Sequence, residues 1–242
     1  MKICLSCGKK KDTGKCNCLL SCVIDVPDGC VTEEKIQKKR NVVTVNDILQ
    51  NNIKYETIPG YEMFGELPQK VSILLYGKPG GGKSTFALKF ANALANMGKN
   101  TLFLSLEEKA DSATLKKKII NNNIDNNENL FIIDNMKKNP MEIIESYAVK
   151  NVFVDSITIV GFDVKKIAEI HEKTQGITLL IAHCTKDEKP KYKGNSDIEH
   201  EVDISCLAEQ GKLYLKKNRL HWIDENECET EIFQRTVKKC LD

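Results

Sequence analysis

One run constrains this 242-residue chain more than any other. Gly77, Lys78, Pro79, Gly80, Gly81, Gly82, Lys83 and Ser84 fill every position of the pattern G-x-x-x-x-G-K-[ST], and Thr85 follows. A nearly continuous apolar stretch, 71–76, precedes it. After it, Phe86, Phe90, Leu94 and Met97 recur at helical spacing until Gly98 ends the pattern. A strand that turns through glycines straight into a helix aims successive backbone N–H groups and a helix N-terminus at one point, which is where an anion is held. Glycine is needed because Cβ atoms would obstruct the wrap. Lys83 then offers a cation to the β and γ phosphates, and the Ser84 hydroxyl a ligand to magnesium. Residues 77–85 are therefore expected to hold ATP with Mg2+.

The rest of the chain supplies a setting for such a loop. Apolar runs at 101–105, 130–133, 152–154 and 177–181 read as buried strands, and helical patterns near 112–121, 140–148 and 163–174 alternate with them. Alternation of this kind predicts an α/β fold with a mainly parallel central sheet flanked by helices. Beyond Asp203, short strands at 204–208, 212–216 and 229–233, separated by turns, predict an antiparallel meander on the sheet edge. The organisation reads as a Cys-rich module over 1–34, a connector over 35–70 with a helical patch at 44–50, and a P-loop core over 71–242.

Hydrolysis needs more than a cradle. Asp155 ends the strand 152–154, and strand-terminal acids of a parallel sheet face the ligand crevice, so Asp155 is the expected second magnesium-directed carboxylate. Glu107, with Glu108 beside it, follows the second core strand, where a carboxylate can orient or deprotonate the attacking water. His183 closes the strand 177–181, in place to sense the γ phosphate.

Taken together, these segments resemble the RadA (Sms) DNA-repair ATPases of the RecA superfamily. The resemblance is carried in order by residues 75–85, 103–108, 153–157, 181–187 and 198–203, and by Lys217, Asn218 and Arg219. It implies a RecA-like P-loop core, Glu107 as catalytic glutamate, Asp155 as second-motif aspartate and His183 as polar sensor. Lys217 and Arg219 would be the lysine–asparagine–arginine motif, whose cations reach a neighbouring subunit's nucleotide. The match departs from the family in three ways. Leu220 and His221 stand where the family has Phe-Gly, and only about 23 residues follow Arg219, too few for the family's C-terminal protease-like domain. The segment after Ser156 is also too short for a long first DNA-binding loop. The loop 185–194, with four lysines and Tyr192, remains as a candidate for phosphate contact and base stacking.

Ten cysteines are present, six of them in the first 30 residues. Cys4-x2-Cys7 and Cys16-x-Cys18 form two thiolate pairs of the kind tetrahedral zinc selects, with Cys22 or Cys30 as alternatives to Cys18. The family resemblance implies the same four-cysteine zinc module. Cys184, Cys206, Cys228 and Cys240 are scattered and read as buried or idle thiols. Lys+Arg 36 against Asp+Glu 34 leaves the chain near neutrality, so any basic surface must be local. No run is apolar and long enough for a membrane span, and the N-terminus lacks a secretion signature, so a cytoplasmic location is expected.

The leading reading is a magnesium-dependent ATPase of RadA type that self-associates into a ring or filament and acts on single-stranded DNA in repair and recombination. Two others are carried with it: a helicase-like (DnaB-like) or clock-type (KaiC-like) member of the same superfamily, and an adaptor switched by nucleotide with slow turnover. A small-molecule kinase is disfavoured by the lack of an Arg-rich lid segment.

Overall fold

The computed structural model describes residues 43–125, 128–137, 139–160, 163–185, 192, 196–221 and 229–232, together with three short strands near the N-terminus. Those strands, β1 (Lys2–Cys4), β2 (Lys10–Lys11) and β3 (Val23–Asp25), form an antiparallel sheet in the order β2-β1-β3. Helix α1 (Val45–Leu49) begins on a capping box: Asp47 N–H donates to the Thr44 hydroxyl, and the Asp47 carboxylate accepts from Thr44 N–H. The chain divides into two compact units, residues 1–52 and 53–242.

The second unit opens on a hairpin of β4 (Tyr55–Glu56) and β5 (Leu67–Pro68), bridged by a 3-10 turn at Glu62–Phe64. The remaining elements are β6 (Val71–Gly77), α2 (Lys83–Asn96), β7 (Thr101–Ser105), α3 (Ala113–Asn121), β8 (Leu130–Ile133), α4 (Pro140–Ser146), β9 (Asn151–Asp155), α5 (Ile157–Val160), α6 (Val164–Thr174), β10 (Ile177–His183), α7 (Ser196–Glu201), β11 (Ile204–Glu209), β12 (Lys212–Asn218) and β13 (Glu229–Glu231). The strands order as β13-β12-β11-β6-β10-β9-β7-β8. All neighbours from β11 to β8 are parallel, and β12 and β13 are antiparallel. The meander expected after Asp203 is thus two strands wide at the edge, because β11 pairs parallel with β6 and so belongs to the central sheet.

Strand side chains alternate between faces, and the core divides accordingly. Ile73, Leu75, Phe103 and Phe153 point to the α2 face with Phe86, Phe90 and Leu94. Leu74, Tyr76, Leu102, Leu104, Val152 and Val154 point to the opposite face with Ile143, Ile167 and Ile170 of α4 and α6. Phe90 is fully buried, and its ring meets Phe153 edge to face at 5.7 Å. Met97, expected on the buried stripe of α2, is instead exposed at the helix C-cap, where Gly98 (φ +76°) turns the chain.

The connector expected over 35–70 changes character at residue 53. Ile58, Phe64 and Leu67 are buried in the α2-face core, so its second half is structural core. The departure at His221 has a use there. Its ring lies where a side chain on Gly65 would project, and Nε2 is 2.8 Å from the Glu66 carbonyl. No described helix is long and apolar enough to cross a membrane.

Candidate nucleotide site

The turn after β6 is shaped by what lies beside it. A Cβ on Gly77 would stand 2.1 Å from the Ala208 carbonyl oxygen of β11, and one on Gly81 2.7 Å from the same atom. Gly82 caps α2 at φ +99°. Glycine is therefore demanded twice at this loop, once by the neighbouring strand and once by the backbone path into the helix. Lys83 is buried, and its ammonium folds back over the loop to donate to the Gly77 and Lys78 carbonyls at 2.9 and 3.0 Å. Burial pushes this lysine below its ordinary value, while Asp155 and Glu107 favour its charge.

Asp155 ends β9 with 4% of its surface exposed, and it hydrogen-bonds the Ser84 hydroxyl. Burial pushes its carboxyl up to about 6; the Ser84 bond opposes this, Glu107 adds to it, and Lys118 and Lys83 favour the charged form. Its Oδ1 is buried with no hydrogen-bond partner. A buried carboxylate oxygen without a partner, beside a serine hydroxyl, is the donor set a magnesium ion selects, so Ser84 and Asp155 fit that ion.

The acids after β7 are held in place by the backbone. The Asp155 carbonyl accepts from Leu106 N–H at 2.6 Å and Glu107 N–H at 3.2 Å, and the Ser105 hydroxyl donates to the Glu108 carbonyl at 2.7 Å. This pins the turn so that Glu107 faces His183, with Oε1 3.2 Å from Nε2. Pro79, Gly80, Gly82, Lys83, Ser84, Thr85, Glu107, Glu108, Lys118 and His183 line one cavity of about 280 Å³. The structure thus brings together loop residues, Glu107 and His183 around this cavity, with Asp155 hydrogen-bonded to Ser84, one of its lining residues.

Lys118 is the member of this group that sequence reasoning missed. Its ammonium is 2.8 Å from the Glu108 carboxylate. The available signal was its place three residues after Leu115, the buried residue of α3.

Other expected residues lie elsewhere. Lys217 does not line this cavity: its ammonium donates to the Glu199, His200 and Val202 carbonyls at 2.8, 3.0 and 2.6 Å, closing the C-terminus of α7. Arg219 donates to the Glu201 carbonyl at 3.2 Å and to the His200 carbonyl. Tyr192 makes a T-shaped contact with Tyr76 at 6.5 Å, and the loop lysines lie outside the described residues. Cys184 and Cys206 are buried free thiols. Cys7, Cys16, Cys18 and Cys22 also lie outside the described residues, and Cys4 ends β1.

Comparison with known proteins agrees with this geometry. A family model described as the KaiC ATPase matches residues 55–134, the segment holding the phosphate loop and Glu107. The DNA repair protein RadA of Campylobacter jejuni is 26% identical over 192 residues, covering 71% of this chain and 42% of that protein. RadA of Streptococcus pyogenes is 32% identical over 152 residues, covering 57% of this chain and 32% of that one. The core of the chain is similar to those of RadA proteins and of KaiC-like ATPases. The match spans between a third and about two-fifths of the length of these RadA proteins. A KaiC-like protein from Pyrococcus horikoshii shares the fold with a TM-score of 0.53 over 72% of this chain and 93% of its own, at 19% identity.

Proposed function

We propose that the chain is a magnesium-dependent ATPase of RadA type that self-associates and acts on single-stranded DNA. One observation carries the hydrolytic part: Asp155, with its unpartnered buried oxygen, lies against Ser84 while Glu107 faces the same cavity. The loop N–H groups and Lys83 bind the phosphates, and Thr85 completes the cradle. A magnesium ion held by Ser84 and Asp155 would neutralise charge on the β and γ oxygens. Glu107 accepts a proton from the water as it bonds to the γ phosphorus and the bond to the bridging oxygen breaks, giving ADP and inorganic phosphate. His183 orients Glu107 and reports the γ phosphate to the strand β10 it ends. Lys217 and Arg219 stay on α7 in the single chain, and in an assembly they would face the neighbouring subunit's nucleotide.

The DNA part rests on the RadA relatives, whose name marks them as DNA repair proteins, and on the lysines of the loop 185–194. A ring or filament is the assembly in which the Lys217 and Arg219 reading has meaning. Zinc on Cys4, Cys7, Cys16 and Cys18, with Cys22 as alternative, completes the proposal; Cys7→Ser is expected to lower the zinc content from about one ion per chain to near zero.

A second reading, a switch with slow turnover, is favoured by one contact: Glu107 is engaged by His183 in the single chain, and base catalysis requires that carboxylate to face water. Phosphate release with and without single-stranded DNA separates the two. A many-fold rise in rate with DNA, lost in Lys83→Ala, supports the motor. A slow rate indifferent to DNA, with tight nucleotide binding, supports the switch.

A further inference from the structure

Helix α3 carries three consecutive lysines, Lys116, Lys117 and Lys118. Lys116 and Lys117 are exposed, whereas Lys118 is turned inward. Helical geometry explains the difference. Leu115 is driven into the core, and the residue three positions on shares its side of the helix, so burying Leu115 swings Lys118 toward the end of the sheet. There it lines the cavity formed by the phosphate loop, on the side of Glu107 and Glu108.

The charge balance of that cavity gives Lys118 a task. Among the described residues, the cations lining it are Lys83 and Lys118, apart from His183. Two carboxylates, Glu107 and Glu108, line it with them, and Asp155 lies behind Ser84 within their electrostatic reach. A magnesium-bound triphosphate adds further negative charge, which the magnesium ion and Lys83 would offset only in part. Lys83 shares its donors with the Gly77 and Lys78 carbonyls on the inner wall of the loop. Lys217 and Arg219, the other cations expected to serve the nucleotide, are engaged by backbone carbonyls around α7. Lys118 is held at 2.8 Å by Glu108, a partner that is itself part of the cavity wall, and both side chains keep about a quarter of their surface open. A flexible four-carbon stem lets the ammonium exchange one anion for another with little movement of the helix. The field of Lys118 also reaches Asp155, where it favours the carboxylate.

We propose that Lys118 is a phosphate-sensing cation of this site, held by Glu108 when no terminal phosphate is present and transferred to that phosphate when a nucleoside triphosphate binds. Glu108 is then the competing anion that keeps the lysine from strengthening diphosphate binding. The pair thereby makes the site favour triphosphate over diphosphate, and it couples α3 to the state of the nucleotide. This inference rests on the reading of the cavity as an ATP site.

Binding of ADP and of a non-hydrolysable triphosphate (AMPPNP), each with Mg2+, is measured by calorimetry on the full chain. In Lys118→Ala the triphosphate is expected to weaken about tenfold or more, the loss of one charge-assisted hydrogen bond, while ADP changes by less than about twofold. Lys118→Arg is expected to keep most of the preference. Glu108→Gln removes the competitor and is expected to tighten ADP, narrowing the gap between the two ligands. Equal effects of Lys118→Ala on both nucleotides in a folded protein, or no effect on either, would overturn the proposal. Should Lys118→Ala fail to fold, a Glu108→Gln protein with an unchanged preference would overturn it as well. A wild-type chain that binds neither nucleotide would instead refute the ATP reading itself.

Discussion

Asp155 shows how a single residue can be costly until its ligand arrives. The burial that lifts its carboxyl to about 6 penalises the charged form, so the sign of its pH dependence is opposite to that of a paired surface acid. Below about pH 3 the group is largely neutral in folded and unfolded chains alike. As pH rises from there through 6 the unfolded chain ionises first, and the folded state loses stability. With magnesium chelated, Asp155→Asn is expected to raise stability at pH 8 by up to about 3 kcal/mol, with the gain vanishing near about pH 3, as read by denaturant unfolding. The same variant should lose magnesium-dependent nucleotide binding. Gly77 is constrained from another direction, by the Ala208 carbonyl. Gly77→Ala is expected to cost about 3 kcal/mol or more in chemical denaturation even without nucleotide, because the added methyl meets a backbone atom in a fixed sheet. The need for glycine at this position was legible in the pattern G-x-x-x-x-G-K-[ST]; its second cause was not, since only the sheet order places β11 against the loop.

At the scale of elements, what could be read from the sequence was what depends on neighbours in the chain. The strands β6, β7, β9 and β10 announce themselves as short apolar runs, and the helical patterns near 112–121 and 163–174 mark α3 and α6. Contacts between elements distant in sequence were not readable. The Glu108–Lys118 pair depends on how α3 is rotated, and the clamp of Lys217 on α7 depends on β12 passing beneath that helix end. Helix α7 carried no apolar stripe long enough to declare it. Phe90 is the residue on which α2 depends, touching Phe153, Tyr61 and Phe64. Phe90→Ala is expected to destabilise the second unit by about 3–5 kcal/mol, measured by urea unfolding followed by circular dichroism. Lys217→Ala leaves three helix-end carbonyls without their donor and is expected to cost about 1–2 kcal/mol. A loss of DNA-stimulated turnover beyond what that destabilisation explains would mark a role across a subunit boundary.

For the whole molecule, the parallel sheet delivers the carboxyl ends of β6, β7, β9 and β10 to one edge, and each ends in a residue the site uses or leads directly into one: Gly77, Glu107, Asp155 and His183. This arrangement gathers into one cavity segments separated by more than 100 positions, on a fold shared with a KaiC-like protein. On the proposed function it also separates two quantities that a single substitution can test, because the loop and Lys83 would bind while Glu107 would activate water. The decisive measurement is the rate of phosphate release from ATP and Mg2+ by the wild-type chain and by Glu107→Gln, alongside nucleotide affinity for each. The expected result is a loss of about a hundredfold or more in rate with affinity unchanged within a few-fold. Equal rates in the two proteins, or affinity and rate falling together, would contradict it.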